Sequence, residues 1–377
     1  MTKTIALGAA GLGRAFSLMA RAFGADPRVR LVAGADPRPE ARERFERDFQ
    51  ARAYAEFEQL CGDAAVQVVY IATPHQFHAA QACVALAHGK HVLVEKPMAL
   101  TAEDCRSMIE AARRAGVVLM VGHSHSFDLP VLHARRLIDS RAFGAVRMVS
   151  AVNFTDFLYR PRRPEELDTA RGGGAVYNQA AHQVDMVRLL AGSVVKRVTA
   201  MTGAWDPRRP TEGAYACLLG FENGAFATLT YGGYGHFDSD ELTGWIGELG
   251  QRKDPAAYRG ARVFDNEAGL KNSRNYGGAQ HRPPDAVAHE HFGLVIVSCD
   301  KADLRPQPDG VMIYGDSERR LDPLPAPAIP RREVIDELYG AVAEGRAPLH
   351  GGEWAAATVD VCLAILRSAR EQREVAL

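Results

Sequence analysis

The stretch Thr4-Ile5-Ala6-Leu7-Gly8-Ala9-Ala10-Gly11-Leu12-Gly13 decides the fold. A short apolar strand runs into a turn of small residues and then into an amphipathic helix, Leu12–Phe23. That order suits a dinucleotide, because N–H groups of the turn approach a diphosphate and the helix N-terminus favours its charge. The strict pattern is Gly8-x-Ala10-x-x-Gly13, with alanine replacing the middle glycine, so an ordinary strand-to-helix turn competes with the nucleotide reading. Asp36 shifts the balance. It follows the second strand, Arg30–Gly34, where a carboxylate accepts hydrogen bonds from the ribose hydroxyls and repels a 2′-phosphate. NAD is therefore the expected cofactor, and Arg38, two residues on, keeps NADP as the alternative.

Outward from this unit, the first third alternates strands with helices. Thr4–Leu7, Arg30–Gly34, Gln67–Ala72, His91–Val94 and Val117–Val121 read as buried strands, and Leu12–Phe23, Pro39–Phe49, Phe77–Ala87 and Ala102–Ala115 as helices. Thr101 is placed to cap the last helix and Gly116 to stop it. The alternation predicts an α/β domain over residues 1–126, a doubly wound parallel sheet. Beyond Phe127 the pattern changes to strands at Val146–Asn153, Val195–Thr202, Tyr215–Phe221 and Ala225–Tyr231, with Asn223-Gly224 as a hairpin turn and one helix near Ala180–Leu190. Residues 127–377 therefore read as an α+β domain on a large, mostly antiparallel open sheet. Residues 236–291 read as an insertion or lid, and Pro323–Pro330 as a connector to two closing helices, about Arg331–Glu344 and Glu353–Gln372.

The chain has 377 residues, 47% apolar and 24% charged, with a formal net charge of −1. Nothing in that balance favours nucleic acid or a membrane surface as partner. Six scattered cysteines without a Cys-x-x-Cys pair suit a reducing cytoplasm rather than a disulfide framework. Arg14 interrupts the apolar N-terminal run too early for a signal peptide, and no apolar stretch reaches transmembrane length.

Seven lysines stand against 38 arginines, and one lysine, Lys96, follows directly on a strand in His91-Val92-Leu93-Val94-Glu95-Lys96-Pro97. Where arginine is the common cation, a lysine at a strand's C-terminal end suggests a compact, titratable ammonium at a ligand site. A structural Glu95–Lys96 pair is the plainer reading. His123-x-His125 and His289-Glu290-His291 raise the question of a metal, but neither pair has a third ligand at a recognisable spacing, and no metal is expected.

Five elements in order resemble the glucose–fructose oxidoreductase/inositol dehydrogenase (Gfo/Idh/MocA) family: Gly8–Gly13, Asp36, Ala72-Thr73-Pro74 with His78, Glu95-Lys96-Pro97, and Gly172-Gly173-Gly174 leading to His182 and Asp185. The resemblance covers nearly the whole chain. It implies an N-terminal Rossmann domain, a C-terminal open sheet that forms homo-oligomers, and an NAD(P)-dependent oxidoreductase. It also implies that Lys96 and His182 act on a substrate hydroxyl. Cofactor contacts fall on Gly8, Ala10, Gly11, Leu12, Gly13, Asp36, Arg38, Thr73, Pro74, His78 and Glu95. Where the family commonly has aspartate four residues before the histidine, this chain has Asn178, a third catalytic candidate that can orient a hydroxyl or a neighbouring side chain but cannot accept a proton as a carboxylate does. Imidazole, with an ordinary pKa of about 6.5, suits removal of the hydroxyl proton, and an ammonium suits the developing alkoxide.

Arg160, Arg162, Arg163 and Arg171 precede the triple glycine and suit a carboxylate-bearing small molecule; a solvated charge run is the plainer reading. His123, His125, Asn153 and Tyr177 are further candidate substrate contacts. Within the family, His289–Asp300 and Arg305–Val311 are similar to the bacterial phthalate cis-dihydrodiol dehydrogenases. This implies oxidation of the 4,5-cis-dihydrodiol of phthalate to 4,5-dihydroxyphthalate. A sugar, inositol or other polyol dehydrogenase, and a catalytically silent nucleotide sensor, are the alternatives.

Overall fold

Strands buried on both faces are apolar throughout and pair in parallel. Six strands form the first sheet of the computed structural model, which describes residues 3–257 and 266–377; Val68–Ile71 in its interior is buried throughout, while the edge strand Arg52–Tyr54 is only partly so. The elements are β1 (Ile5–Ala10), α1 (Arg14–Ala25), β2 (Val29–Ala35), α2 (Pro39–Phe49), β3 (Arg52–Tyr54), α3 (Phe57–Gly62), β4 (Val68–Ile71), α4 (His78–Ala87), β5 (His91–Val94), α5 (Ala102–Ala115) and β6 (Leu119–Val121). Their order is β3-β2-β1-β4-β5-β6, all parallel. Strand order reverses between β1 and β4, and ligands bind such sheets beyond the strand C-termini at this point.

The predicted bounds of α2, β5 and α5 match residue for residue. The Thr101 hydroxyl accepts the Asp104 N–H at 3.0 Å, and Gly116 ends α5 at φ +65°. The sequence reading omitted β3 and α3. Arg52-Ala53-Tyr54 is too short to show a period and is only partly buried.

The chain continues through α6 (Leu129–Asp139), β7 (Val146–Phe154), α7 (Ala181–Ala191), β8 (Val195–Gly203), β9 (Ala214–Phe221) and β10 (Phe226–Gly232). There follow α8 (Glu267–Arg274), β11 (Leu294–Cys299), β12 (Ala302–Gln307), β13 (Gly310–Gly315), β14 (Arg319–Pro323), α9 (Arg332–Ala343), α10 (Gly352–Glu371) and β15 (Val375–Ala376). The second sheet has nine strands in the order β14-β13-β12-β11-β7-β10-β9-β8-β15. Only the β7–β10 pair is parallel. The β9–β10 hairpin turns at Asn223-Gly224, with Gly224 at φ +85° and the Phe221 N–H donating to the Ala225 carbonyl at 2.9 Å.

Period-2 alternation gives this sheet two faces. Tyr215, Cys217, Leu219, Ala227, Leu229 and Tyr231 are buried on one, and α7 packs over β7 and β10. On the other face Met201, Leu218 and Phe226 are exposed.

The chain folds as two compact units that interleave in sequence. One holds Met1–His123, Asn266–Pro283 and Ile329–Val359; the other holds Ser124–Asp265, Pro284–Ala328 and Asp360–Leu377. Residues 236–291 are thus divided between the two.

Candidate functional site

In the first unit, the candidate residues gather at the C-terminal edge of the parallel sheet. Gly11 sits at φ +82°, and a Cβ there would lie 2.8 Å from the backbone of Ala72 and Thr73, so the turn after β1 requires glycine at this point. The Leu12 N–H donates to Asp36 Oδ2 at 2.8 Å, which fastens the phosphate loop to the end of β2. Arg38 pairs with Asp36 at 2.9 Å and also donates to the Leu12 carbonyl at 2.6 Å. The arginine that left NADP open is thereby held against the carboxylate that favours NAD. A backbone cradle at the N-terminus of α1, with an acid at the end of β2, fits an NAD diphosphate and ribose.

Thr73 follows β4, and its hydroxyl donates to Gln81 Oε1 at 2.6 Å. His78 is fully buried, its ring nitrogens 2.9 Å from the Thr73 and Pro97 carbonyls, and burial pulls its pKa down. Glu95 is also buried: it accepts the Tyr70 hydroxyl at 2.6 Å, and burial raises its carboxyl above the ordinary value. Both side chains point into the unit, where they brace the loop after β4 and the turn after β5. Lys96 follows Glu95 at the end of β5 and is half-buried. His123 follows β6 at the same sheet edge and is buried.

In the second unit, His182 lies in the first turn of α7, directly after a five-residue π-helical turn, Val176–Ala180. Such turns within helices are frequent at functional sites. The turn follows the triple glycine, in which Gly172 and Gly174 adopt φ of +83° and +81°. Glu212 fastens this segment from behind: its carboxylate accepts the Val176 N–H at 3.0 Å and the Thr169 hydroxyl. Burial raises the Glu212 pKa, opposed by these bonds.

Asn178 is buried within the π turn, and its Nδ2 donates to the Gly174 carbonyl at 2.8 Å and the Gly172 carbonyl at 3.3 Å. Two carbonyl acceptors demand an amide, and an aspartate carboxylate would face oxygen on both sides. The departure from the family's aspartate therefore has a physical reason, since Asn178 clamps the triple-glycine turn. Tyr177 is buried beside it, and burial raises its pKa.

The His182 ring packs 4.7 Å from that of His125 and 4.9 Å from Phe292, and Tyr231 stacks on Phe292 at 6.2 Å. Asp128 holds His125 Nδ1 at 2.7 Å, and the Ser126 hydroxyl donates to Asp185 near the base of α7. Asn153 accepts the Ser239 hydroxyl at 2.7 Å. His289 and His291, the other histidine pair, each lie 2.8 Å from a backbone carbonyl, of Pro325 and Ile246.

The four arginines have unequal surroundings. Arg160 binds Asp156 at 2.9 Å and Glu248 at 3.3 Å; burial pulls it down, but these two charges outweigh that and raise it. Arg163 pairs with Glu165 at 3.0 Å. The Arg162 guanidinium lies 3.7 Å from the Phe157 ring centroid and donates to the Phe157 carbonyl, and burial lowers its pKa to about 10. Arg171 is exposed and makes no ion pair among the described residues. Four arginines in sequence are therefore not four cations offered to a ligand.

Sequence reasoning missed Phe292, Glu248, Glu212 and Asp128. The Phe292 position falls in the quoted His289–Asp300 segment, so the signal was present without a role. Glu248 and Glu212 lie in segments of no marked motif, and only the fold brings them to Arg160 and the triple glycine.

Residues 5–123 match the model of the oxidoreductase family with an NAD-binding Rossmann fold, and residues 131–250 match the GFO/IDH/MocA C-terminal domain. The chain belongs to the GFO/IDH/MocA oxidoreductase family. It is an NAD-dependent dehydrogenase of that family. A relative from Comamonas testosteroni, 1-carboxy-3-chloro-3,4-dihydroxycyclohexa-1,5-diene dehydrogenase, is 47% identical over 97% of this chain and 95% of its own length. A crystal structure from Bordetella bronchiseptica RB50 is 41% identical with a TM-score of 0.94, covering 99% of this chain and 100% of that one. The WlbA dehydrogenase of Bordetella pertussis, solved with NADH and UDP-GlcNAcA, shares the fold at 22% identity and a TM-score of 0.72, covering 100% of this chain and 99% of that one. Among the described residues no helix is long and apolar enough to cross a membrane.

Proposed function

We propose that this dehydrogenase oxidises a carboxylated dihydroxycyclohexadiene, specifically the cis-4,5-dihydrodiol of phthalate, and yields 4,5-dihydroxyphthalate. The observation that carries this reading is the end-to-end 47% identity to a dehydrogenase named for a carboxylated dihydroxycyclohexadiene. NAD, when bound, accepts the hydride. The chain's residues handle the rest. His182, packed against His125 and Phe292, is assigned the hydroxyl proton. Lys96 is assigned stabilisation of the developing alkoxide as that proton leaves. Asn178, whose amide hydrogens are committed to backbone carbonyls, holds the turn ahead of α7 and takes no part in proton transfer. Aromatisation of the product drives the reaction forward, which lessens the demand on the base.

Arg171 is the guanidinium assigned to a substrate carboxylate, since Arg160 and Arg163 are already matched by Glu248, Asp156 and Glu165. His123, His125, Asn153 and Tyr177 supply the polar contacts around the ring. The open sheet face bearing Met201, Leu218 and Phe226 is assigned to a second copy of the chain, because large apolar side chains exposed together on one face suit an interaction surface.

The test is the initial rate of NADH formation with phthalate cis-4,5-dihydrodiol, the same diol lacking carboxylates, myo-inositol and glucose. The expected result is turnover of the dicarboxylated diol, with a kcat/KM at least a hundredfold lower when the carboxylates are absent. Equal rates with and without carboxylates, or preference for a polyol, would overturn the assignment.

A further inference from the structure

The first unit includes Asn266–Pro283, which in sequence is flanked on both sides by the second unit. This segment lies along the phosphate loop. Tyr276 anchors it: the ring is buried, packs edge-on to Phe16 of α1 at 5.0 Å and stacks on Phe49 at 6.2 Å. Its hydroxyl donates to Asp48 of α2 at 2.8 Å. From this anchor the backbone spreads over two helix N-termini. A Cβ on Gly13, the residue preceding α1, would lie 3.9 Å from Asn275 Oδ1. Arg14 donates to the His281 carbonyl at 3.2 Å. A Cβ on Gly277 would lie 3.8 Å from the Glu40 and Ala41 backbone, in the first turn of α2. The N-terminus of α1 is where a diphosphate binds such a fold, and the adenosine ribose lies toward the end of β2, where Asp36 closes the loop.

We infer that residues 266–283 form the outer wall of the NAD site on its adenosine side, with Asn275 as a cofactor-binding residue whose side-chain amide, lying beside Gly13, turns its N–H to donate to the diphosphate. Tyr276 is the positioning residue that holds Asn275 there. Asparagine suits the role because its amide donates without adding charge beside Arg14 and Arg38. The proposal rests on NAD binding to the Gly8–Gly13 loop and extends it to a segment that the phosphate motif does not include.

The test uses the full-length protein and measures equilibrium binding by titration calorimetry, without substrate. Asn275→Ala is expected to weaken NADH and ADP-ribose about tenfold each, the loss of one hydrogen bond to a charged group. Adenosine, which lacks the diphosphate, is expected to bind the variant as it binds the parent. Limited proteolysis supplies a second readout: saturating NADH slows cleavage within 266–283 in the parent, and Tyr276→Ala abolishes that protection. Tyr276→Phe, which keeps the ring packing, is expected to preserve it. Binding of NADH and ADP-ribose within twofold of the parent in Asn275→Ala would overturn the proposal. Equal weakening of adenosine would overturn it too, by making Asn275 a folding residue. Cleavage unaffected by NADH in the parent would remove the wall itself, while NADH affinity in the same titration reports separately on the phosphate loop.

Discussion

Asn178→Asp changes one nitrogen to oxygen and leaves shape and volume nearly untouched, so its effect isolates the clamp on the triple glycine. The parent amide donates at 2.8 Å and 3.3 Å to two carbonyl oxygens in a buried turn. Losing the shorter bond costs about 1 kcal/mol and the longer one less. The larger cost comes from the new carboxyl. Ionised, it faces two carbonyl oxygens, a penalty of roughly 3 kcal/mol or more. Neutral, it donates one bond, but staying protonated costs about 1.4 kcal/mol for every pH unit above its ordinary pKa of about 3.9. The folded-state pKa is therefore raised, so the pH-dependent part of the loss is absent below about pH 3.9 and is complete once pH has risen through the folded value. Relative to the parent, the variant should lose about 1.4 kcal/mol per pH unit from pH 5 upward and level off near 4 kcal/mol once the ionised folded form becomes the cheaper one. Urea unfolding of parent and variant at half-unit steps from pH 5 to pH 8 measures the difference directly. Asn178→Ala serves as the control, with a pH-independent loss of about 1–2 kcal/mol. A parent-minus-Asp difference that is flat with pH, or below 1 kcal/mol at pH 8, would refute the clamp.

Lys96→Ala should lower kcat by orders of magnitude while NADH affinity, measured by fluorescence titration, stays within a few-fold; equal loss of both would make Lys96 a cofactor or folding residue. Asp36→Ser should release Arg38 from its 2.9 Å pairing and move the NAD/NADP ratio of kcat/KM toward NADP by about a hundredfold, read from initial rates with each cofactor. Glu212 has a raised pKa, chiefly from burial, so its contribution to stability is complete below the ordinary glutamate value and declines as pH rises through the raised one. Glu212→Gln should flatten that part of the stability–pH curve, which thermal unfolding from pH 4 to pH 8 would show.

The parallel sheet was legible because its strands are apolar on both faces and its helices carry local stops, as Thr101 and Gly116 do around α5. The phosphate loop was legible for a related reason: Gly11 meets a backbone requirement that no other residue satisfies. The second sheet was legible only in part. The chain from β11 to β14 includes Pro306 near the end of β12, which weakens the β signal, and the π turn before His182 depends on Glu212, some thirty residues away. The arginine cluster shows the limit most plainly. Arg160 reads as an exposed cation until the fold brings Glu248 to 3.3 Å. Asn178 read as a weakened catalytic position, and its donor role became visible only with the Gly172 and Gly174 carbonyls in place. Residues 266–283 carry no motif, and only their packing against α1 and α2 ties Tyr276 to the nucleotide-binding unit.

The claim that this family member is a carboxylated-dihydrodiol dehydrogenase meets its most direct test in a competition experiment. Purified protein and NAD are mixed with equal concentrations of phthalate cis-4,5-dihydrodiol and myo-inositol, and early products are quantified by chromatography against NADH formed. The product ratio equals the ratio of kcat/KM values. The expected result is one dihydroxyphthalate per NADH, exceeding the inositol ketone by at least a hundredfold. Inositol ketone as the main product, or NADH formed without dihydroxyphthalate, would contradict it.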